Sequence, residues 1–299
     1  MLKIIKPLFI WAGGKTKMFK HYKDLMPVVE DIHSYSEPFL GGGAMFLYVI
    51  KKYDIKTAYL NDINHDIIGV YQSIKDHPQD FCAIVDDYQC RFIPLPKPNP
   101  EKKKSSPDHW TKSNNRKNFF YEVREEYIEN YDDWSYLKRS AVLYFLMKTG
   151  FNGIWQSSKK ANGKFYTPSG LLNQKDVIYD KVNVLMWNEI LNDYNVTLTS
   201  DDWKNVPVSD FTFYDPPYRD SFTNYSTIFP DSEHKLLIER VESNKNVWLC
   251  NRDAGDGFFD GCDAILKKFP VTYTAGRRKK TDDGYKAKKA TEILLYNNK

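Results

Sequence analysis

No stretch of this chain approaches the roughly 20 consecutive apolar residues that a membrane-spanning helix needs. Residues 1–15 carry no secretory cleavage signal. Neither a membrane protein nor a secreted one is expected. Cysteine is scarce: Cys82, Cys90, Cys250 and Cys262 form no CxxC pair and have no histidine at metal-ligand spacing, which excludes a disulfide framework or a zinc module. Histidines at 21, 33, 65, 77, 109 and 234 show neither metal nor triad spacing. A strong charge of one sign is missing too. The formal net charge is only +4, so a nucleic-acid partner would have to be met by local clusters of cations. A soluble protein of a reducing, cytoplasmic compartment is the expectation.

What is present is enough apolar surface for a core. At 299 residues, with 41% hydrophobic and 15% aromatic residues, the chain suits one large α/β domain with a smaller insertion. Strand-like residues 34–39 run into a glycine cluster, and helix-compatible residues 44–52 follow. The pattern repeats as strand 57–60 and helix 66–74. From about residue 80 it stops. Prolines at 94, 96, 98 and 100 and the lysines after them read as a linker. Residues 118–130 and 136–147 read as helices, and 150–172 as a loop or hairpin. Strands are predicted again at 196–198, 210–214 and 246–250, with a helix at 232–242. Residues 269–275 and 291–296 suggest an antiparallel hairpin closing a mostly parallel sheet. The expected fold is a doubly wound, Rossmann-like α/β sheet, made of residues 1–79 and 191–299, with a smaller, mainly helical insertion over 80–190.

The sharpest chemical signal is Asp215-Pro216-Pro217-Tyr218 directly after a strand. Two prolines stiffen the backbone and offer carbonyls with no competing N–H donors. An aromatic amine such as adenine N6 is a poor nucleophile because its lone pair is delocalised. Acceptors for both its hydrogens, the Asp215 carboxylate and the Pro216 carbonyl, favour the tetrahedral nitrogen that can attack an electrophilic methyl. Tyr218 can stack on a base turned out of its duplex. Glu37-Pro38-Phe39-Leu40-Gly41-Gly42-Gly43 sits at a strand-to-helix turn. There Gly41 and Gly43 allow close backbone approach, and a helix N-terminus can meet a carboxylate. The spacing is not the GxGxxG of dinucleotide sites. Asp62, ending the next strand, stands where a carboxylate binds ribose hydroxyls, or where one caps the following helix.

Taken in order, these residues resemble the Dam-type family of DNA adenine methyltransferases. The resemblance covers most of the chain: Trp11-Ala12-Gly13-Gly14-Lys15, the glycine segment 37–43, Asn61-Asp62, Phe151-Asn152-Gly153, residues 215–218, Asn251-Arg252-Asp253, and Arg278-Lys279-Lys280 through Glu292-Ile293-Leu294-Leu295. It implies S-adenosylmethionine as methyl donor, S-adenosylhomocysteine as product, no metal, and direct transfer with inversion. The substrate it implies is double-stranded DNA with a short target, GATC or a related site. It further implies a cytoplasmic enzyme of a bacterial or phage-infected cell. Such an enzyme would act as a monomer on DNA or a weak dimer, beside a separate restriction endonuclease in a restriction-modification setting. Carried over by position, Trp11, Lys15, Glu37, Pro38, Phe39, Gly41, Gly43, Asp62 and Asp215 surround the cofactor, and Asp215 through Tyr218 hold the adenine. Two positions depart from the GATC-reading members: Gln156 stands where they carry arginine, and Phe165-Tyr166-Thr167-Pro168 where they carry Phe-Asn-x-Pro. Losing an arginine changes either base readout or phosphate affinity.

Candidate DNA contacts are Asn152, Gln156, Lys159 and Lys160 in the insertion, where Lys164, Trp155, Phe165 and Tyr166 complete a mix of cations and aromatics, and Arg277, Arg278 and Lys279 near the end. Two other readings stay open: methylation of RNA or of a glutamine amide, and a DNA-binding module without turnover. Asp rather than Asn at 215 favours adenine in DNA over the first, and the intact Asp215–Tyr218 segment favours catalysis over the second.

Overall fold

Short apolar and aromatic runs from the two ends of the sequence build one mixed sheet in the computed structural model. The model describes residues 5–11, 13–28, 30, 32–97, 115–153, 155–173, 176–219, 229–273, 279–281, 284–286 and 288–298. The strands are β1 (Ser34–Glu37), β2 (Thr57–Asn61), β3 (Val196–Thr199), β4 (Phe211–Tyr214), β5 (Val247–Arg252), β6 (Ile265–Tyr273) and β9 (Lys288–Asn297), and their order across the sheet is β3-β2-β1-β4-β5-β9-β6. A separate two-stranded ribbon pairs β7 (Lys279–Thr281) with β8 (Gly284–Lys286). The first five strands in that order run parallel, and β9 lies antiparallel between β5 and β6. This is the expected Rossmann-like α/β sheet with its antiparallel C-terminal strands.

The sequence explains the layering. All four residues of β4, and the first five of β5, are buried, as strands covered on both faces must be. Tyr214, Leu249, Ile293 and Leu295 form one core cluster with Leu237 and Val241 from α8 (Asp231–Ser243). Strand order runs outward from β1 through β2 to β3 on one side, and from β4 to β5 on the other. The reversal lies between β1 and β4, and in open α/β sheets the crevice beyond the carboxyl ends of the strands at such a point is where ligands bind.

Contacts divide the chain into two compact units, Lys15–Ile63 with Tyr194–Lys299, and Met1–Gly14 with Asn64–Asp193. The first holds the sheet with α1 (Phe19–Tyr22), α2 (Ala44–Lys52) and α8. The second is helical: α3 (His65–Asp76), α4 (Pro78–Phe92), α5 (Arg116–Glu129), α6 (Tyr136–Thr149) and α7 (Lys181–Asp193). Helix α6 is buried almost all round, the mark of a central helix. Its Phe145 packs edge-on to Phe92 and Phe119. Residues 5–11 join this unit through Lys6, whose amide and carbonyl bond Asn183 and whose carbonyl also accepts the Trp187 indole at 2.8 Å. The functional division expected at 79/80 and 190/191 is a separate matter, decided by which residues touch which ligand.

Two helices of the helical unit went unforeseen, and one expected strand starts earlier than predicted. Helix α4 starts with Pro78 in its first turn, where proline is tolerated. Helix α7 fills the end of the insertion, and β6 begins at Ile265 rather than at 269. The expected linker lies outside the described residues from 98 to 106.

Candidate active site

The turn that follows β1 reverses within three residues. Gly41 and Gly43 take φ of 47° and 71°, left-handed values that glycine adopts without a Cβ penalty. Gly43 thereby ends the turn as N-cap of α2. Two neighbours from the end of β2 fasten it: the Asp62 carboxylate accepts the Gly41 amide at 2.9 Å, and the Asn61 side-chain amide donates to the Pro38 carbonyl at 3.0 Å. The Asn61 side-chain Oδ1 in turn accepts from the Thr199 hydroxyl and the Asp201 amide. Asn61 is thus a fastener between three strand ends, a role the sequence did not suggest. Phe39 is half-buried among Trp203, Tyr214 and Phe229.

Glu37, the last residue of β1, is buried and accepts the Tyr35 hydroxyl at 2.8 Å and the Phe46 backbone amide in the first turn of α2. Burial pushes its carboxyl up to about 8, against these hydrogen bonds and the charge of Lys15, with the charge of Asp215 adding to the rise. A folded value above the ordinary 4.5 means the folded chain prefers Glu37 protonated. Its stabilisation is therefore complete below pH 4.5 and is lost as pH rises through about 8. In denaturant titrations across that window, Glu37→Gln is expected to flatten the fall of stability with pH by roughly 2 kcal/mol or more. Identical slopes for the two proteins would mean that Glu37 is ionised in the folded chain.

Beyond the end of β4, Asp215 meets Lys15 from the 3-10 turn Lys15–Lys17, with Nζ 2.6 Å from Oδ2. The two differ in exposure: the lysine side chain is 3% exposed and the carboxylate 20%. Burial disfavours charge on Lys15, yet Asp215, with Cys250 and Glu292, holds its ammonium above the ordinary lysine range. Burial likewise pushes the Asp215 carboxyl up, Lys15 pulls it back, and Glu292 adds to the rise. The Lys15 ammonium lies 5.0 Å from the centre of the Tyr218 ring, within cation–π range. Pro216 is buried and Pro217 half-buried.

The Tyr218 hydroxyl lies 3.4 Å from the Cys250 sulfur, which is also 3.3 Å from the Tyr22 hydroxyl and 3.9 Å from Glu292 Oε2. Tyr22, Cys250 and Glu292 were not predicted. A signal existed for Glu292, a lone carboxylate in an otherwise apolar run. Arg219, next in the chain, is clamped by Asp231 and Asp256 and lies over the Phe258 ring at 3.7 Å. Its amide donates to Asn251 Oδ1, which also receives the Arg252 amide. Arg219 is therefore anchored to β5 and α8.

Of the predicted residues, Lys15, Glu37, Pro38, Phe39, Gly41, Gly43, Asp62 and Asp215 through Tyr218 all lie in the sheet-bearing unit, at the carboxyl ends of β1, β2 and β4 or in the turn that pairs with Asp215. Trp11 belongs to the helical unit, where its carbonyl accepts the Gly14 amide and its ring lies 6.5 Å from Phe9. Asn152, exposed with φ of 51°, and Gln156, Lys159 and Lys160 belong there too. A hairpin-like bridge joins Ser157 to Phe165, with Lys159 and Lys160 exposed on the turn between them. The expected mix of cations and aromatics is corrected in part. Trp155 and Phe165 are buried against one another, Tyr166 is covered by Arg124 at 3.9 Å, and Lys164 bonds the Ile128 carbonyl and Asp132. These four residues build the hairpin, and its exposed surface is left to Lys159 and Lys160, with Gln156 half-buried beside them. Arg277 and Arg278 lie outside the described residues, and Lys279 begins β7.

Comparison with known proteins matches residues 11–256 to the model of the D12 class N6 adenine-specific DNA methyltransferases. The chain is 31% identical over 234 residues to the Type II methyltransferase M.MjaIII of Methanocaldococcus jannaschii, covering 74% of each chain. It is 28% identical to the Type II methyltransferase M.CviBI of Paramecium bursaria Chlorella virus NC1A, covering 91% of this chain and 94% of that one. A DNA adenine methylase of Vibrio cholerae is 29% identical over 54% of this chain and 46% of its own.

Proposed function

The chain belongs to the D12 class N6 adenine-specific DNA methyltransferases, and on that premise we propose that the crevice between the ends of β1 and β4 transfers a methyl group from S-adenosylmethionine to N6 of an adenine turned out of duplex DNA. The observation that carries this reading is Asp215, a partly exposed carboxylate held at the strand-order reversal by a buried lysine. The residues present fit the donor. The left-handed Gly41 and Gly43 bring bare backbone to the crevice, α2 points its N-terminus there, and Asp62 stands at the neighbouring strand end for ribose hydroxyls. Glu37, Pro38, Phe39, Trp11 and Lys15 complete the proposed cofactor surroundings.

When bound, S-adenosylmethionine supplies an electrophilic sulfonium methyl. The protein's share is to present the nucleophile. Asp215 and the Pro216 carbonyl accept the two N6 hydrogens, which draws the nitrogen toward tetrahedral geometry, while Pro217 stiffens the segment and Tyr218 stacks on the base. The nitrogen gains a methyl and must lose one proton, and Asp215 receives it. A carboxyl pushed up by burial is the better acceptor. No metal takes part in this reading, and S-adenosylhomocysteine leaves.

Gly43→Val tests the cofactor placement. A branched side chain at φ of 71° costs about 1–2 kcal/mol in backbone strain alone. Calorimetry is therefore expected to show S-adenosylmethionine affinity reduced at least roughly tenfold, with DNA affinity less affected. Unchanged cofactor affinity would remove this turn from the cofactor site.

The catalytic part is proposed as residues 1–79 and 191–299, and target recognition is assigned to 80–190. There Asn152, Gln156, Lys159 and Lys160 read or grip DNA, and Arg277, Arg278 and Lys279 supply phosphate attraction. The target is a short site, GATC or a relative of it, and the protein acts in the cytoplasm as a monomer on DNA or a weak dimer, with any cognate endonuclease separate. On single-base variants of the target, replacing Gln156, Lys159 and Lys160 by alanine is expected to change discrimination by about 1–3 kcal/mol per lost base contact. Replacing Arg277, Arg278 and Lys279 instead weakens all duplexes alike and lowers the salt slope by about one per lost phosphate contact. Equal behaviour of the two sets would contradict the division. Methylation-sensitive sequencing of DNA from cells expressing the chain identifies the site.

A further inference from the structure

Behind the proposed reacting amine, the sheet carries a carboxylate that packing alone does not require. Glu292 lies on β9, 4% exposed, followed by the buried Ile293, Leu294, Leu295 and Tyr296. Burying a carboxylate among apolar neighbours is costly unless it is hydrogen-bonded or paired. In the antiparallel register Cys250 faces Leu294 and Arg252 faces Glu292, so Cys250 and Glu292 are diagonal neighbours on one face of the sheet. The fully buried Cys250 thiol reaches Glu292 Oε2 at 3.9 Å, and its sulfur lies 3.3 and 3.4 Å from the hydroxyls of Tyr22 and Tyr218. A thiol has one hydrogen and a carboxylate only accepts. With that hydrogen turned toward Glu292, the sulfur is left as acceptor for the Tyr22 hydroxyl and for that of Tyr218, which the sulfur shares with the Asp215 carboxylate. A chain of hydrogen bonds then runs from β9 through β5 to the residue proposed to stack on the base.

Resting on the methyl-transfer reading, we propose that Glu292 is a positioning residue that fixes the Tyr218 ring through Cys250. The groups facing this cluster are Lys15 from the 3-10 turn, Tyr22 from α1, Tyr35 and Glu37 from β1, Asp215 and Tyr218 after β4, and Cys250 from β5. Glu292 acts on Asp215 and Lys15 in the same sense, raising the carboxyl further above its ordinary range and the ammonium with it.

The test compares the full-length wild type with Glu292→Gln, which keeps shape and removes charge. At saturating DNA and S-adenosylmethionine, kcat for Glu292→Gln is expected to fall about tenfold with both KM values within about twofold of wild type. The acid limb of its pH profile should move to lower pH by about half a unit or more, because a like charge has left the neighbourhood of Asp215. Glu292→Asp should return the limb toward its wild-type position. Cys250→Ala breaks the chain and keeps the charge, so kcat falls several-fold while the acid limb stays in place. Independently of turnover, the infrared S–H stretch of Cys250, assigned by its loss in Cys250→Ala, should move to higher frequency in Glu292→Gln as an amide replaces a stronger acceptor. A wild-type kcat in Glu292→Gln, an unmoved S–H band, or a Gln variant that does not fold would each overturn the proposal. A wild type that transfers no methyl to adenine would overturn the methyl-transfer reading and this proposal together.

Discussion

Replacing Asp215 with alanine is expected to cut methyl transfer at least about 100-fold, the scale on which one preorganised polar group contributes to a developing transition state, while the fold survives. The carboxylate is 20% exposed, so its removal empties no core position, and the strand that carries it ends at Tyr214. Its loss does leave the Lys15 ammonium buried without its nearest counter-charge, and some stability is lost for that reason. The two effects separate experimentally. Circular dichroism and thermal melts should report a folded protein, and single-turnover assays at saturating cofactor should report the lost rate. Near-normal turnover would remove Asp215 from the chemistry.

Lys15→Met is expected to be as damaging to rate, roughly 100-fold at pH 7, by a different route. Lys15 pulls the Asp215 carboxyl down against burial. Without it the carboxyl rises further, and a protonated Asp215 cannot accept an amine hydrogen. Activity in the variant should therefore recover as pH is raised, whereas Asp215→Ala stays inactive at every pH. Stability follows the same linkage. An Asp215 value raised above its ordinary 3.8 in the folded variant contributes stability fully below 3.8, and that contribution is lost as pH rises through the folded value. The gap in stability between wild type and Lys15→Met should thus widen from pH 5 to pH 8, toward the roughly 3–5 kcal/mol of a broken buried ion pair, reduced by the partial exposure of the carboxylate. A variant with wild-type rate and no pH dependence of that gap would mean that the pair serves neither function.

The parts of this architecture written locally were legible in the sequence. Gly41 and Gly43 marked a turn because left-handed backbone needs glycine, and Asp215-Pro216-Pro217-Tyr218 marked a strand end because two prolines cannot continue a ladder. What stayed hidden depended on distant residues. The pairing of Lys15 with Asp215 spans 200 positions and had no local trace beyond the family resemblance. Glu292 was legible only as part of a strand-like run, and its place beside Cys250 emerged once β9 was set between β5 and β6. Helix α4 was overlooked even though Phe81, Val85, Tyr88 and Phe92 recur at helical spacing, because the prolines that follow it dominated the reading. Strand β6 begins early because it lies at the sheet edge, where Lys267 and Lys268 break the apolar pattern without breaking the pairing. The aromatics of the insertion misled in the other direction. Trp155 and Phe165 suggested a nucleic-acid surface and instead form the support of the hairpin.

The most direct test of the central claim is to incubate the purified chain with duplex DNA and S-adenosylmethionine labelled in its methyl group, digest the DNA to nucleosides, and identify the labelled product. The account predicts label in N6-methyl-2′-deoxyadenosine, dependent on Asp215. Label in a methylated cytosine, or no transfer to any duplex, would contradict it.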